Sequence, residues 1–123
     1  MGKLSYSTVG SNKLEEAKVF YDGLLALVGM TPRYEHPSGG RFYAGNKSYF
    51  AVLGPYDKKD ACIGNGTMAG FGFDTREEVD AFHARALELG GTDEGAPGER
   101  GPGAYFAYFR DLDGNKLCGF KWG

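Results

Sequence analysis

Between residues 14 and 28 apolar side chains return every three or four positions (Leu14, Ala17, Phe20, Tyr21, Leu24 and Leu27–Val28), a spacing that predicts one face of a helix. Ser11-Asn12 stands at its start with Glu15 three residues after Asn12, the pattern of a capping box, and Gly29 is the expected C-cap. Residues 4–9 read as a strand ahead of this helix. The short aromatic runs 33–35, 41–44 and 48–53 follow it, separated by Pro37-Ser38-Gly39-Gly40 and by Gly45-Asn46. They read as three antiparallel strands, so the order is β-α-β-β-β.

The same plan then returns. Residues 67–73 read as a strand, Thr75 with Glu78 forms a second capping box, and Val79, Phe82, Ala86 and Leu89 mark a helix face that ends at Gly90-Gly91. A shift of 62 positions lays Ala17 on Val79, Phe20 on Phe82, Tyr21 on His83, Leu25 on Leu87, Gly29 on Gly91 and Tyr6 on Met68. Pattern and punctuation therefore predict one domain of two modules, about 1–54 and 67–123, joined by a linker over 55–66. The stretch 90–103, with Pro97 and Pro102, is too broken by Gly and Pro for a long strand; it reads as a surface loop with room for a short strand, a flap over a site being the alternative.

Period-two alternation sorts strand faces. In the fifth strand Ala69, Phe71 and Phe73 share one side and should pack under the helices, while Met68, Gly70 and Gly72 share the other. Two alternating glycines imply either that something approaches the backbone there or that the sheet bends sharply. Tyr6 and Thr8 oppose Ser7 and Val9 in the first strand, and Cys118, Phe120 and Trp122 share a side in the last.

The 123 residues suit one domain. With 14 basic and 16 acidic residues the formal net charge is -2, and no Lys/Arg run marks a surface for nucleic acid or anionic membrane. The longest apolar stretch, 23–30, is far short of the roughly 20 residues of a membrane span, and acidic residues precede it where a secretory signal would be basic. Two cysteines, Cys62 and Cys118, suit a reducing compartment, so a cytoplasmic location is expected. Twenty-one glycines together with 15% aromatics fit a turn-rich sheet protein.

Residues 108–118 read Tyr-Phe-Arg-Asp-Leu-Asp-Gly-Asn-Lys-Leu-Cys, a hairpin whose Asp113-Gly114-Asn115 can supply positive φ. The wording Arg-Asp-x-Asp-Gly-Asn-Lys-Leu resembles the closing motif of the vicinal-oxygen-chelate superfamily, which holds glyoxalase I, the extradiol dioxygenases and the bleomycin-resistance proteins. Gly64-Asn65-Gly66-Thr67 and the run from Thr92 to Gly98 also look like stretches of glyoxalase-like relatives. The resemblance covers nearly the whole chain, more closely from Gly64 onward. It implies an α+β fold in which two β-α-β-β-β modules curve a mixed sheet around a cavity, with helices outside.

In metal-using relatives a histidine on each module's first strand and a carboxylate on each last strand hold a dication. Those positions fall here on Tyr6, Val52, Met68 and Cys118, none of which is a histidine or a carboxylate. Neutral Tyr, with a pKa of about 10, is a poor ligand, Val is none and Met is weak. Cys118 and Met68 are soft donors suited to Cu(I), but no Cys/His motif surrounds them. His83 on the helix and His36 before Pro37 read as structural. Asp111-Leu112-Asp113-Gly114 places Gly fourth and Trp122 twelfth, where a calcium loop needs Gly sixth and Glu twelfth, so it is a turn. No metal or other cofactor is expected. Cys118 lacks a neighbouring His base in sequence, and reads as a small hydrophobe rather than a nucleophile.

The leading expectation is a protein that binds a small, partly aromatic ligand in the sheet-lined cavity without the family's divalent metal. Tyr6, Met68, Phe120 and Trp122 supply apolar and stacking surface, Thr8 and Cys118 limited polarity, and Gly70 close approach. Arg33, Arg41 and Arg110 are candidate anchors for an anionic group. Two alternatives stand beside it: a lactoylglutathione-lyase-like or dioxygenase-like enzyme with an unconventional metal site, and a non-enzymatic interaction protein using the fold as a dimerisation scaffold. A homodimer is expected from the resemblance, and neither nucleic acid nor membrane is an expected partner.

Overall fold

The computed structural model describes all residues, 1–123. The chain forms two compact units, Met1–Cys62 and Ile63–Gly123. In the first, β1 (Tyr6–Gly10), α1 (Leu14–Leu25), β2 (Thr31–Glu35), β3 (Arg41–Gly45) and β4 (Ser48–Leu53) follow in order. The sheet runs β1-β4-β3-β2, with β1 parallel to β4 and the remaining pairs antiparallel. Ala17, Phe20, Tyr21, Leu24 and Leu25 are buried on α1, and Tyr21 meets Phe50 of β4 at 5.1 Å between ring centroids. Each large apolar side chain removed from water here contributes roughly 1.5–3 kcal/mol. Tyr43 crosses from β3 and donates its hydroxyl to Asp22 Oδ1 at 2.7 Å, so burial and the neighbouring carboxylate hold its proton on.

Two details of α1 differ from the sequence expectation. The capping box at Asn12 does not form: Lys13 is the N-cap, without a side-chain bond, and Ser11 Oγ accepts from Lys13 N–H. Asn12 instead presents its amide to Ala61, donating from Nδ2 to the carbonyl at 2.9 Å and accepting from the N–H at 2.7 Å. An Asn side chain carries donor and acceptor side by side and so matches a backbone amide that an N-terminal cap would have used only by half. At the other end α1 tightens into a 3₁₀ turn, Ala26–Val28, closed by Gly29 at φ 82°. Three residues per turn advance each side chain by more than the α-helix does, so the apolar face that buries Leu24 and Leu25 at the end of α1 does not continue through the turn, and Leu27 is exposed.

The second unit repeats the order with β5 (Ala69–Gly72), α2 (Arg76–Glu88), β6 (Thr92–Glu99), β7 (Ala104–Arg110) and β8 (Lys116–Trp122), in a sheet ordered β5-β8-β7-β6. The capping box at α2 forms as expected: Thr75 Oγ1 accepts from Glu78 N–H, and Glu78 accepts from Thr75 N–H. Phe71 and Phe73 pack on Phe82 of α2 at 5.5 and 4.9 Å, and Phe109 meets the same ring edge-on. Gly119 lies beneath it; a Cβ there would stand 2.7 Å from Phe82 Cδ2.

The stretch read as a surface loop is largely β6, eight residues long. It is the outer strand and bonds only to β7, with register shifts between Asp93 and Gly95 and between Gly95 and Gly98. An edge strand tolerates the N–H that Pro97 lacks, and the bulges absorb the glycines that made the stretch look broken. The turn from β7 to β8 is organised by Asp111. Its carboxylate accepts from Asp113 N–H, Asn115 N–H and Asn115 Nδ2, each at 2.9 Å, while Gly114 takes φ 92°. The motif that carries the family resemblance is thus a folding device.

Candidate functional site

α2 covers one face of the second sheet, and the other face holds most of the residues expected to bind a ligand. Strand pairing sets it out in rungs: Arg110 opposite Lys116, Tyr108 opposite Cys118, Phe106 opposite Phe120 and Ala104 opposite Trp122. β5 adds Gly70 beside Cys118 and Gly72 beside Phe120. The two glycines are filled from within the sheet. A Cβ on Gly72 would meet Phe120 Cζ at 3.2 Å, and one on Gly70 would meet Cys118 Sγ at 3.1 Å. The groups that approach the backbone here are the Cys118 sulfur at Gly70 and the Phe120 ring at both glycines.

Phe120 belongs to a cluster. Phe106 stacks on it at 5.2 Å with 16° between planes, Tyr108 stacks on Phe106 at 5.9 Å, and Trp122 meets Phe106 edge-on at 5.2 Å. Trp122 is 64% exposed, so the cluster is reachable. Phe106 and Tyr108 escaped the sequence reading because residues 104–110 are apolar on both faces, and alternation alone does not say which face meets the helix. Counting outward from the turn at 111–115 would have placed Phe106 across from Phe120 and Tyr108 across from Cys118.

Met68, just ahead of β5, is half exposed. It lines a recess of ≈ 350 Å³ with Ile63, the Gly64–Thr67 turn, Arg110 and Lys116. Tyr6 and Thr8 lie on the helix-free face of the first sheet, where Tyr6 neighbours Phe42 at 6.4 Å and Tyr34 stacks on Phe42 at 4.8 Å. Thr8 also lines an open groove of ≈ 470 Å³ with Asp57, Asp60 and Cys62.

The four positions that the resemblance assigns to metal ligands do not supply a ligand set. Val52 shares the side of Phe50, under α1, and is fully buried; the residues of β4 on the helix-free side are Tyr49, Ala51 and Leu53. Cys118 is 1% exposed, and burial pushes its thiol up to about 11, so without a metal it is a shielded, neutral thiol and no nucleophile near neutral pH. Tyr6 and Met68 offer a phenol and a thioether. No group of three or more His, Cys, Asp or Glu side chains gathers anywhere in the structure. This donor set does not fit a Ni, Zn or Fe dication.

The histidines serve local structure. His83, buried on α2, shares a hydrogen bond of 3.0 Å with Asp93, and His36 Nδ1 accepts from Ser38 N–H inside its turn. The Gly95 N–H, and after it His83, hold the Asp93 carboxyl below its ordinary range. Among the arginines expected as anchors, Arg41 faces α1 and is engaged by Asp22 and Glu35, which withdraws it from that role. Arg110 is on the aromatic face and pairs with Glu94 at 2.8 Å; Arg33 is exposed at the irregularity in β2.

With this geometry in view, the class is plain. A family model described as the Glyoxalase/Bleomycin resistance protein/Dioxygenase superfamily matches residues 3–118, and the chain belongs to that superfamily. A glyoxalase/bleomycin resistance protein from Albidiferax ferrireducens is 40% identical, over 97% of this chain and 98% of that one, with a TM-score of 0.89. The fold alone is shared with a glyoxalase/bleomycin resistance protein/dioxygenase family enzyme from Burkholderia phytofirmans, 21% identical over 99% of this chain and all of that one, TM-score 0.79. The same holds for a lactoylglutathione lyase from Agrobacterium tumefaciens, 20% identical over 98% and 94% of the two chains, TM-score 0.73. No curated protein matches the chain.

Proposed function

We propose that this superfamily member binds a small, partly aromatic organic molecule against the helix-free face of its second sheet, without a divalent metal. The observation that carries the reading is the cluster Phe106, Tyr108, Phe120 and Trp122, four aromatic rings on two neighbouring strands with Trp122 open to solvent. Ring faces of this kind favour planar ligands, each aromatic contact being worth about 0.5–1.5 kcal/mol beyond the area it buries. Gly70 borders the cluster, Met68 lines the recess with Arg110 and Lys116, and Tyr6 and Thr8 offer a second aromatic and hydroxyl-bearing surface in the first unit.

The metal-free part of the reading rests on donor chemistry, since a metal-bound intermediate requires imidazole or carboxylate ligands that these positions lack. Metal analysis of protein purified without tag or chelator, before and after incubation with Ni, Zn, Mn and Fe, is the test. Bound metal at one equivalent would overturn this part and return the chain to glyoxalase-type or dioxygenase chemistry. For the ligand, a panel of planar aromatic compounds is screened by quenching of Trp122 fluorescence. At least one should quench saturably and bind tenfold or more weakly to Phe106→Ala; a panel with no saturable binder would refute the aromatic reading. We also expect a cytoplasmic location and a homodimer, the exposed Tyr34 and Tyr49 on the helix-free face of the first sheet being surface available to a second copy, and a monomer by light scattering at micromolar concentration would contradict the dimer.

A further inference from the structure

The aromatic face is not uniform along its length. Successive rungs on one face of a sheet are two residues apart, about 7 Å. Reading from the Phe106–Phe120 rung, the next is Tyr108–Cys118 and the next Arg110–Lys116. The face therefore runs from stacked rings to a pair of cations over roughly 13 Å. Arg110 is held by Glu94 and by the Gly114 carbonyl. Lys116 instead has its ammonium 5.1 Å from the centroid of the Tyr108 ring, at the edge of the aromatic cluster. Arg100 approaches the same ring at 5.7 Å and donates to the Ala96 carbonyl. The ≈ 350 Å³ recess at this end, closed by the Gly64–Thr67 turn, is lined by both strand cations and by no carboxylate side chain, the turn carboxylate of Asp111 being engaged by Asp113 and Asn115.

Resting on the ligand-binding reading above, we propose that the ligand is an aromatic anion: a planar ring on Phe106 and Phe120, and a carboxylate, sulfonate or phosphate held at the recess by Lys116. A cation already over an aromatic ring is weakly solvated on that side and available for an anion arriving along the ring surface. Arg110, fixed by Glu94 and Gly114, shapes the recess, and Lys116 is the specificity residue.

The test uses two fluorescent probes of one ring system, anilinonaphthalene sulfonate and its uncharged parent N-phenylnaphthylamine, titrated into the wild-type protein, Lys116→Met and Lys116→Gln. The wild type should bind the sulfonate at least tenfold more tightly, about 1.4 kcal/mol. In either variant that preference should fall to within twofold while the affinity for the uncharged probe stays, with circular dichroism reporting the fold. Equal binding of both probes by the wild type would overturn the anion inference and leave the aromatic reading standing. Binding of neither probe would overturn both, and a preference that survives in both Lys116 variants would place the anion elsewhere.

Discussion

Replacing Asp111 by alanine removes the acceptor around which the β7–β8 turn is wound. The buried carboxylate receives two backbone N–H groups, Asp113 and Asn115, on Oδ1 and the Asn115 side chain on Oδ2, all at 2.9 Å. A hydrogen bond to a charged group is worth about 1.5–3 kcal/mol, but such bonds at one carboxylate do not add, and water reaches part of a turn. The expected loss is therefore about 2–4 kcal/mol. For a domain of this size that lowers Tm by roughly 4 °C per kcal/mol. Asp111→Asn keeps an oxygen at Oδ1 for both backbone donors and sets two amide nitrogens face to face at Oδ2, so it should lose only about 1 kcal/mol. Urea unfolding followed by Trp122 is a local assay, because the single tryptophan lies on β8, the strand this turn leads into. The order wild type, Asn, Ala with unchanged m-values is the expected result. An alanine variant within about 0.5 kcal/mol of wild type, or an Asn variant as damaged as the Ala one, would refute the account of the motif as a turn organiser.

Gly119→Ala forces a methyl group to 2.7 Å from Phe82 Cδ2 and 3.3 Å from Phe73 Cε2, and should cost about 1–3 kcal/mol in denaturant; a neutral change would mean the Phe82 ring has room to move. Thr75→Ala should destabilise by about 1 kcal/mol through loss of the α2 cap, whereas Asn12→Ala should leave α1 intact and speed amide exchange at Ala61, the reverse of what a capping role predicts. At neutral pH iodoacetamide should alkylate the exposed Cys62 and spare Cys118 until the protein unfolds; equal labelling in the native state would show Cys118 reachable. Because burial raises the Cys118 thiol from 9.0 to about 11, the native state holds its proton more tightly than the unfolded chain. The resulting stability is complete below about pH 9 and is lost as pH rises through about 11. Cys118→Ala should flatten that decline relative to wild type in alkaline urea titrations.

Much of this protein was decided by short-range chemistry and was open to reading along the chain. The order of elements, the doubled plan, the α2 cap at Thr75 and Glu78, the turn after Arg110 and the two faces of β5 all depend on residues a few positions apart. The aromatic face was half legible, since Cys118, Phe120 and Trp122 alternate on one strand, while Phe106 and Tyr108 sit in a run that is apolar on both sides. What the tertiary structure alone decided depends on which strand lies beside which. Only an edge position lets β6 keep Pro97 and its bulges, and only a distant backbone amide at Ala61 draws Asn12 away from the helix. Packing of α1 on β4 decides which side of that strand, and so Val52, is buried, and pairing with Asp22 and Glu35 ties down Arg41. Each of these contacts joins residues far apart in sequence or on opposite strands, so local propensity carries no information about it until the sheet order and register exist.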